Sequence, residues 1–392
     1  MAAMNGRFRS VRTGNPEPIP ILLLIRHLGS GGTERQLAAT AVGLDRRRFA
    51  VHVMCFNPGF RYNELERVGI RVVAIPIRSF LSPVALHPTV QLAKYIREHR
   101  IQVVHTFDYP MNCLGVPVAR MLRVPVVLSS QRAHRSLTPP RYRAFQRLTD
   151  RLVNGIVTNC QAMLEHLIHD EGVPRERIHL CYNGIDTTVF HPDGRERFGA
   201  LCGAECVVGI VSMLRPEKDI CTLLDAFAAT AGGQSTVKLA IVGSGAEQEQ
   251  LENRVRSLGI EAQCIFAPAA AEIAQWMRAI DIFVLPSVSE ALSNSLMEAM
   301  ACGCAVIASC VGGSPELIRD GETGLMFEPR NTAKLADLLR RLIADAELRR
   351  VFGANAAASI HGRFSLDRAS ARMTEIYTRL LIEAGCKMGA VR

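Results

Sequence analysis

Short apolar runs recur along the chain, and each is followed by a polar or glycine-containing turn and then by a segment with apolar residues at helical spacing. The first such unit reads IPILLLI, RHLGSGG and TERQLAATAVGL, and the runs FAVHVMCF, IQVVHTF, ECVVGIV and DIFVLP begin later units. Continuous apolar runs of this length are typical of strands that are buried on both faces of a parallel sheet. The alternation of strands and helices therefore predicts an α/β protein built from doubly wound, Rossmann-like domains with parallel sheets.

The length of the chain and the spacing of these units predict two domains. At 392 residues the chain exceeds the usual size of a single domain, and a segment rich in charge and glycine at about 192–205 separates two similar series of units. The predicted parts are a basic flexible tail at 1–17, an N-terminal Rossmann-like domain at 18–191, a C-terminal Rossmann-like domain at 205–365 and a final helix within 366–392.

The stretch from Asp281 to Gly303 carries the densest candidate chemistry. An apolar run ends at Pro286, a serine-rich turn follows, and good helix formers continue until Gly303. The turn leads into a helix N-terminus, whose free N–H groups and positive dipole end can bind a phosphate. Glu290 precedes this helix, and Glu298, eight positions later, can accept hydrogen bonds from the vicinal hydroxyls of a ribose. The pattern favours a nucleotide site, and the alternative is that both acids are ordinary surface residues.

The same stretch resembles the signature of a known enzyme family. SEALSNSLMEAMACG resembles the E-x7-E motif of glycosyltransferase family 4, whose members are retaining enzymes of the GT-B fold. The resemblance implies that Glu298 holds the donor ribose, that Glu290 faces the transferred sugar and that the backbone amides between them hold the diphosphate. The other implied donor-binding positions in this turn are Ala291, Leu292, Ser293, Asn294 and Ser295. Ala291 departs from the family pattern, because the family usually has glycine at this position.

Two further motifs extend the resemblance to the donor phosphates. GGTERQ resembles the family's GGAER motif, which implies that Gly31 and Gly32 approach the phosphates. Lys218 matches the lysine of the family's R-x4-K pattern, but Met213 holds the arginine position, and Arg215 is the substitute two residues further on. Both cations can neutralise charge that develops on a leaving diphosphate. The alternatives are a glycine turn that serves only packing and a loop lysine that only faces solvent.

Polar residues also follow the apolar run IQVV. His105 and Asp108 lie where this predicted strand ends, a position from which side chains reach ligands in open α/β sheets. The family often has H-x-H here, but VVHTFD matches only the first histidine because Phe107 holds the second place. We keep His105 and Asp108 as catalytic candidates, with Asp108 in place of the missing histidine. The alternative for His105 is a purely structural role.

The resemblance implies an architecture and a reaction. It implies two domains that face a cleft, with the donor in the second, the acceptor largely in the first and the final helix crossing back to the first. The implied reaction transfers a sugar from a nucleoside diphosphate sugar to a hydroxyl group of a glycan or lipid-linked acceptor, with retention, in polysaccharide or glycolipid assembly. Glu290, Lys218 and Arg215 are the main catalytic candidates. We expect no cofactor and no metal ion, in agreement with the absence of Asp-x-Asp from the sequence.

Two other classes of protein remain alternatives. A sugar nucleotide 2-epimerase of the same fold would consume the donor without an acceptor. A basic nucleic-acid-binding protein would fit the net charge of +9, but the sequence contains no recognised nucleic-acid-binding module, and its charge is spread along the chain. We therefore expect a nucleotide sugar rather than nucleic acid as the partner.

The segment from Gln131 to Arg151 is notably basic. It contains Tyr142, Phe145 and six arginines, at positions 132, 135, 141, 143, 147 and 151. A basic face with aromatic residues predicts contact with anionic membrane lipid or with a phosphorylated acceptor. The alternative is a solvated helix.

Cysteine spacing and hydropathy predict a cytoplasmic protein. The twelve cysteines are scattered without disulfide or zinc spacing. The apolar run at 19–25 is too short to span a membrane and lacks a signal-peptide cleavage site. If the basic segment binds lipid, the expected location is the inner face of the membrane.

Overall fold

The computed structural model describes residues 17–76, 86–268 and 272–386, which form two α/β domains. The tail predicted at 1–17 lies outside these residues except for Glu17, and so does the end of the final segment at 387–392.

The first domain is built on a parallel sheet. Its strands are β1 (Ile19–His27), β2 (Phe49–Asn57), β3 (Arg71–Ala74), β4 (Val103–Thr106), β5 (Val126–Gln131), β6 (Gly155–Thr158) and β7 (Ile178–Leu180). Its helices are α1 (Gly32–Gly43), α2 (Phe60–Arg67), α3 (Leu86–Glu98), α4 (Tyr109–Met121), α5 (Pro140–Leu152) and α6 (Gln161–His169). The described strands pair in the order β3-β2-β1-β4-β5-β6-β7, and all pairs are parallel.

The second domain repeats this plan. Its strands are β8 (Cys206–Val211), β9 (Val237–Val242), β10 (Cys264–Ala267), β11 (Ile282–Leu285), β12 (Ala305–Ser309) and β13 (Leu325–Phe327). The helices that follow in the chain are α7 (Ile220–Ala231), α8 (Gln248–Leu258), α9 (Ile273–Ala279), α10 (Asn294–Ala301), α11 (Ser314–Leu317), α12 (Thr332–Ala344), α13 (Ala346–Arg363) and α14 (Leu366–Glu383). The described strands pair in the order β10-β9-β8-β11-β12-β13, again all parallel.

Both sheets are covered on both faces, as the apolar runs predict. On β8, Val207 and Val211 pack in the layer that contains α10 and α13, whereas Val208 and Ile210 pack in the layer that contains α7 and α12. In each sheet the strand order reverses beside the first strand of the domain, which opens a crevice at the carboxyl ends of the strands. The predicted fold class, two doubly wound parallel domains, is confirmed.

The last helix, α14, packs on the first domain although it follows the second in the chain. Its residues Met373, Ile376 and Tyr377 belong to the same buried cluster as residues of β1, β2 and α1. The Tyr377 ring meets the Phe49 ring edge to face, with centroids 6.1 Å apart. The helix therefore links the two domains through a buried apolar contact rather than through the connecting segment alone.

None of the helices in the described part of the chain combines the length and the apolar character that a membrane span requires.

Candidate active site in the interdomain cleft

A cavity of about 510 Å³ lies where the carboxyl edges of the two sheets face each other. The first domain contributes the glycine turn after β1, the start of α1 and the residues after β5. The second domain contributes the turns after β8 and β11. The predicted donor-site residues that line this cavity are Gly31, Gly32, Arg215, Lys218, Glu290, Ala291, Leu292, Ser293, Asn294, Ser295 and Glu298. Folding thus brings the motifs of both domains to one place.

The turn after β11 presents a helix N-terminus to the cavity. Ser293 is the N-cap of α10, and its Oγ accepts a hydrogen bond from the amide of Leu296 at 3.3 Å. The glycines of the next turn support this segment from behind, because a Cβ atom on Gly312 would overlap the Glu290 carbonyl and one on Gly313 would lie 2.7 Å from the Ala291 carbonyl. The turn is therefore held in place by backbone packing, with its amides at the cavity wall.

Glu298 lies at the base of the cavity and is 1% exposed. Its carboxylate forms an ion pair with the guanidinium of Arg35 from α1, across the domain boundary. Burial, followed by the charge of Arg61, lowers the pKa of Arg35 to about 10. The Oε2 atom of Glu298 accepts no hydrogen bond from the described residues. A buried carboxylate oxygen without a donor is suited to accept ligand hydroxyls.

Lys218 and Glu290 form an ion pair that faces the cavity. Lys218 ends the short turn Pro216–Lys218 after β8, and its Nζ contacts Oε1 of Glu290. The Ser287 hydroxyl donates a second hydrogen bond to the same oxygen at 2.9 Å. These two donors hold the carboxylate of Glu290 in one orientation beside the helix N-terminus.

Arg215 occupies a less favourable position than Lys218. Its side chain is 58% exposed at the rim of the cavity and lies 3.8 Å from the carboxylate of Glu217. Met213, which stands in the family's arginine position, also lines the cavity. The structure therefore places Lys218 against Glu290 and leaves Arg215 at the edge.

An amide network joins the two domains through Asn294. Its Nδ2 donates to the Gly32 carbonyl at 3.0 Å, and its Oδ1 accepts from Gln36 at 3.0 Å and from Asn183 at 2.8 Å. Gln36 also bonds to both backbone groups of Gly184, each at 3.1 Å. A Cβ atom on Gly32 would lie 2.9 Å from Asn294 Nδ2, so glycine at this position leaves room for Asn294 of the second domain.

His105 and Asp108 do not join this cavity. His105 is fully buried, with Nδ1 2.7 Å from the Tyr377 hydroxyl and Nε2 2.9 Å from the Ser130 hydroxyl. Burial, followed by the charge of Arg132, lowers its pKa well below the usual value and keeps the ring neutral. This geometry favours the structural alternative for His105, and its catalytic role stays a prediction.

Asp108 is the N-cap of α4. Its carboxylate accepts hydrogen bonds from the amides of Met111 at 3.0 Å and Arg26 at 2.8 Å. Burial raises the pKa of Asp108 to about 6 in spite of these hydrogen bonds. The structure gives Asp108 a capping role and does not bring it to Glu290. Its part as the substitute for a histidine stays a prediction.

The arginines of the basic segment at 131–151 have different surroundings, and its predicted contact with lipid stays a prediction. Arg132 lines the cleft, and Arg135 is buried between Asp150 at 2.6 Å and Glu171 at 3.2 Å. Neither arginine can contribute to an outer basic face. On α5 the exposed residues include Arg147 and Arg151 together with the apolar Phe145, Leu148 and Leu152.

A second cavity, of about 550 Å³, adjoins the first at Glu290. Beside it, potential metal-binding atoms of His134, His166 and Asp170 lie within 4.8 Å of one another. Hydrogen bonds already engage them, since His166 Nδ1 lies 2.6 Å from Asp170 Oδ2 and the Ser136 amide donates to His134 Nδ1 at 3.2 Å. The expectation that no metal is needed stays a prediction.

Several residues of this site were not singled out by the sequence analysis. Arg35 stands in the GGTERQ motif, whose arginine was a usable signal. Asn183 stands in NGID, where turn chemistry alone explains the sequence. Arg132 lies in the basic segment at 131–151, whose composition predicts an outer face. Arg35 and Asn183 contact the second domain, and Arg132 contacts residues distant in the first, so the spacing of residues along the chain does not indicate these contacts.

Comparisons with known proteins agree with this architecture. The family model described as Glycosyltransferase Family 4 matches residues 30–189, and the model described as Glycosyl transferases group 1 matches residues 196–359. The chain is 30% identical over 230 residues to N-acetyl-alpha-D-glucosaminyl L-malate synthase of Bacillus anthracis, covering 58% of this chain and 60% of that protein. It is also 30% identical over 241 residues to D-inositol 3-phosphate glycosyltransferase of Streptomyces bingchenggensis, covering 58% of this chain and 53% of that protein.

Solved structures share the fold over most of the chain. HepE of Anabaena, determined in complex with UDP and glucose, has a TM-score of 0.82 at 24% identity and covers 91% of this chain and 99% of its own. Sucrose-phosphate synthase of Thermosynechococcus elongatus has a TM-score of 0.80 at 19% identity, over 93% of this chain and 100% of its own. With one family model on each domain and this shared architecture, the chain belongs to glycosyltransferase family 4 and has the GT-B fold.

Proposed function

We propose that this protein is a retaining, metal-independent glycosyltransferase that moves a sugar from a nucleoside diphosphate sugar to a hydroxyl acceptor. The observation that carries the proposal is one cavity that contains a helix N-terminus, the Lys218–Glu290 pair and the buried carboxylate of Glu298. These groups match the three parts of the donor, which are its diphosphate, its sugar and its ribose.

The donor binds chiefly to the second domain in this proposal. The amides at the start of α10 hold the diphosphate, because the N–H groups are unsatisfied within the helix and the dipole favours an anion. Glu298 accepts hydrogen bonds from the ribose hydroxyls through its unpartnered oxygen. Gly31 and Gly32 let the first domain close over the phosphates. UDP is the first nucleotide to test, since HepE was solved with UDP.

The reaction proceeds on one face of the sugar. The bond between the anomeric carbon and the diphosphate oxygen breaks while the acceptor oxygen forms its bond on the same side, and the acceptor proton passes to the departing phosphate oxygen. Lys218 stabilises the charge that develops on the leaving group. Glu290, held by Lys218 and Ser287, orients the hydroxyls of the transferred sugar.

The acceptor in this proposal is a glycan or a lipid-linked molecule in polysaccharide or glycolipid assembly at the cytoplasmic face of a membrane. Support comes from the outer surface of α5. Phe145 and Leu148 are 40% and 50% exposed there, beside Arg147, whose side chain is 60% exposed. Apolar and cationic groups on one exposed helix suit an anionic lipid surface.

The test is to incubate the protein with UDP-sugars, with and without hydroxyl acceptors, and to determine the anomeric configuration of any product by NMR. We expect the UDP-sugar to be consumed only when an acceptor is present, and to be consumed equally well with a chelator. The product should have the same anomeric configuration as the donor. Consumption without an acceptor would point to the epimerase, and inversion of configuration would contradict the mechanism. A glycosyl adduct trapped on Glu290 would show that the reaction is a double displacement and would contradict the proposed front-side substitution.

A further inference from the structure

Arg132 is a cation of the cleft for which the proposed mechanism has no role. It directly follows β5 and lines the cavity from the first domain. Its Nε atom is buried and has no hydrogen-bond partner among the described residues, and within them no carboxylate forms an ion pair with it. Burial lowers its pKa, as expected for a charge removed from water without a counter-ion. A guanidinium in this situation favours the binding of an anion.

Its surroundings hold Arg132 beside the turn that receives the diphosphate. The guanidinium carbon lies 5.2 Å from the centre of the Phe107 ring, a cation–π distance. Nη1 donates to Asn183 Oδ1 at 2.8 Å. Asn183 in turn donates to the Leu292 carbonyl at 3.3 Å and to Asn294 Oδ1 at 2.8 Å. One residue therefore separates Arg132 from the turn at the start of α10.

The second domain is short of positive charge at the same place. Met213 stands in the family's arginine position, Arg215 is 58% exposed beside Glu217, and Lys218 is already paired with Glu290. The helix N-terminus and Lys218 alone would face the full charge of a diphosphate.

We infer that Arg132 supplies the second cation for the donor diphosphate, from the first domain, and that Phe107 supports it. The inference rests on the proposed function, because it requires a nucleoside diphosphate in the cleft. It links two of the departures from the family pattern, because Phe107 supports an arginine that can replace the cation missing at Met213. The donor is then held from both domains, and Arg132 stabilises the same leaving group as Lys218.

The experiment measures the Kd of UDP and of uridine by isothermal titration for the wild type and for Arg132→Met and Arg132→Lys. Removing a charged hydrogen-bond donor should raise the Kd of UDP about tenfold and leave that of uridine unchanged. Arg132→Lys should recover part of the loss, because it keeps the charge but not the forked geometry. Arg47→Met is the matched control, since Arg47 lies in the same domain and pairs with Asp45 outside the cavity.

Several outcomes would overturn the inference. One is a folded Arg132→Met variant in which the ratio of the two Kd values is unchanged, or in which uridine loses as much affinity as UDP. Another is a loss of UDP affinity in Arg215→Met instead of Arg132→Met. A third is an Arg132→Met variant in which only the KM for the acceptor rises. If thermal denaturation shows that Arg132→Met is not folded, the Kd values are measured for Phe107→Leu. This variant should lose less UDP affinity than expected for Arg132→Met and should bind uridine as the wild type does. A wild type that binds neither UDP, GDP nor ADP would refute the proposed function, and the inference with it.

Discussion

Replacing Glu298 by glutamine tests whether the base of the cleft holds a ribose. The substitution keeps the volume of the side chain and removes the charge of a carboxylate that is 1% exposed. A hydrogen bond to a charged group contributes about 1.5–3 kcal/mol. Two ribose hydroxyls at the low end of this range sum to about 3 kcal/mol, so we expect the Kd of the nucleotide to rise roughly a hundredfold.

The assay is the free energy of unfolding with and without UDP at 100 times the wild-type Kd. The wild type should gain about 2.7 kcal/mol from the ligand, and Glu298→Gln, with its Kd raised a hundredfold, about 0.4 kcal/mol. For each variant the free energy of unfolding is compared with and without UDP. The loss of stability caused by breaking the ion pair with Arg35 is then present in both measurements and cancels. The wild type should also prefer UDP to 2′-deoxy-UDP, and Glu298→Gln should lose most of that preference.

Glu322→Gln is the control, because this acid lies in the same domain, has a 65% exposed side chain and forms an ion pair with Arg319 at the surface. It should behave as the wild type in both measurements. Full ligand stabilisation of Glu298→Gln, or an undiminished preference for the ribose hydroxyl, would refute the role of Glu298 and with it the orientation proposed for the donor.

Three further predictions address the chemistry, the pH dependence and the membrane. Lys218→Gln should lower kcat by at least about a hundredfold with a small change in KM in steady-state kinetics, because it removes a cation from the leaving group; an equal effect of Arg215→Gln would contradict this ranking. Burial lowers the pKa of His179 to about 4, so between pH 6.5 and 4 the unfolded chain binds more protons and the free energy of unfolding falls as the pH falls. Denaturation curves of His179→Gln across that window should show a shallower decline, and an unchanged slope would exclude His179 as a cause. The double variant Phe145→Ser, Leu148→Ser should reduce sedimentation with anionic liposomes at low salt while leaving UDP binding intact; wild-type protein that stays in the supernatant would contradict the membrane proposal.

Much of the fold could be predicted from local patterns. Runs such as IPILLLI have no polar face, so they require a sheet covered on both sides, and the helices between them supply the cover. The turn at 291–295 could be placed at a helix N-terminus because a serine cap precedes good helix formers. These inferences depend only on residues that are neighbours in the chain.

The roles of single polar residues were harder to predict. A strand end can direct a side chain to a ligand or into the core, and His105 lies in the core because Tyr377 of the last helix packs over it. Arginines of one segment can also have different environments. Arg135 is buried between Asp150 and Glu171, whereas the side chain of Arg147 is largely exposed to solvent. The spacing of apolar residues in one segment does not specify which other element of the fold packs against it.

The amino-acid sequence by itself determined the alternation of strands and helices, the two sheets and the polar turns at their carboxyl edges, because these follow from the burial of adjacent residues. Only the tertiary structure decided which groups meet in the cleft. Arg35 with Glu298, and Asn294 with Gly32, come from different domains and lie far apart in the chain. Their contacts depend on how two separately formed domains and the final helix pack together, and side-chain fit between distant surfaces leaves no periodic signal in the chain.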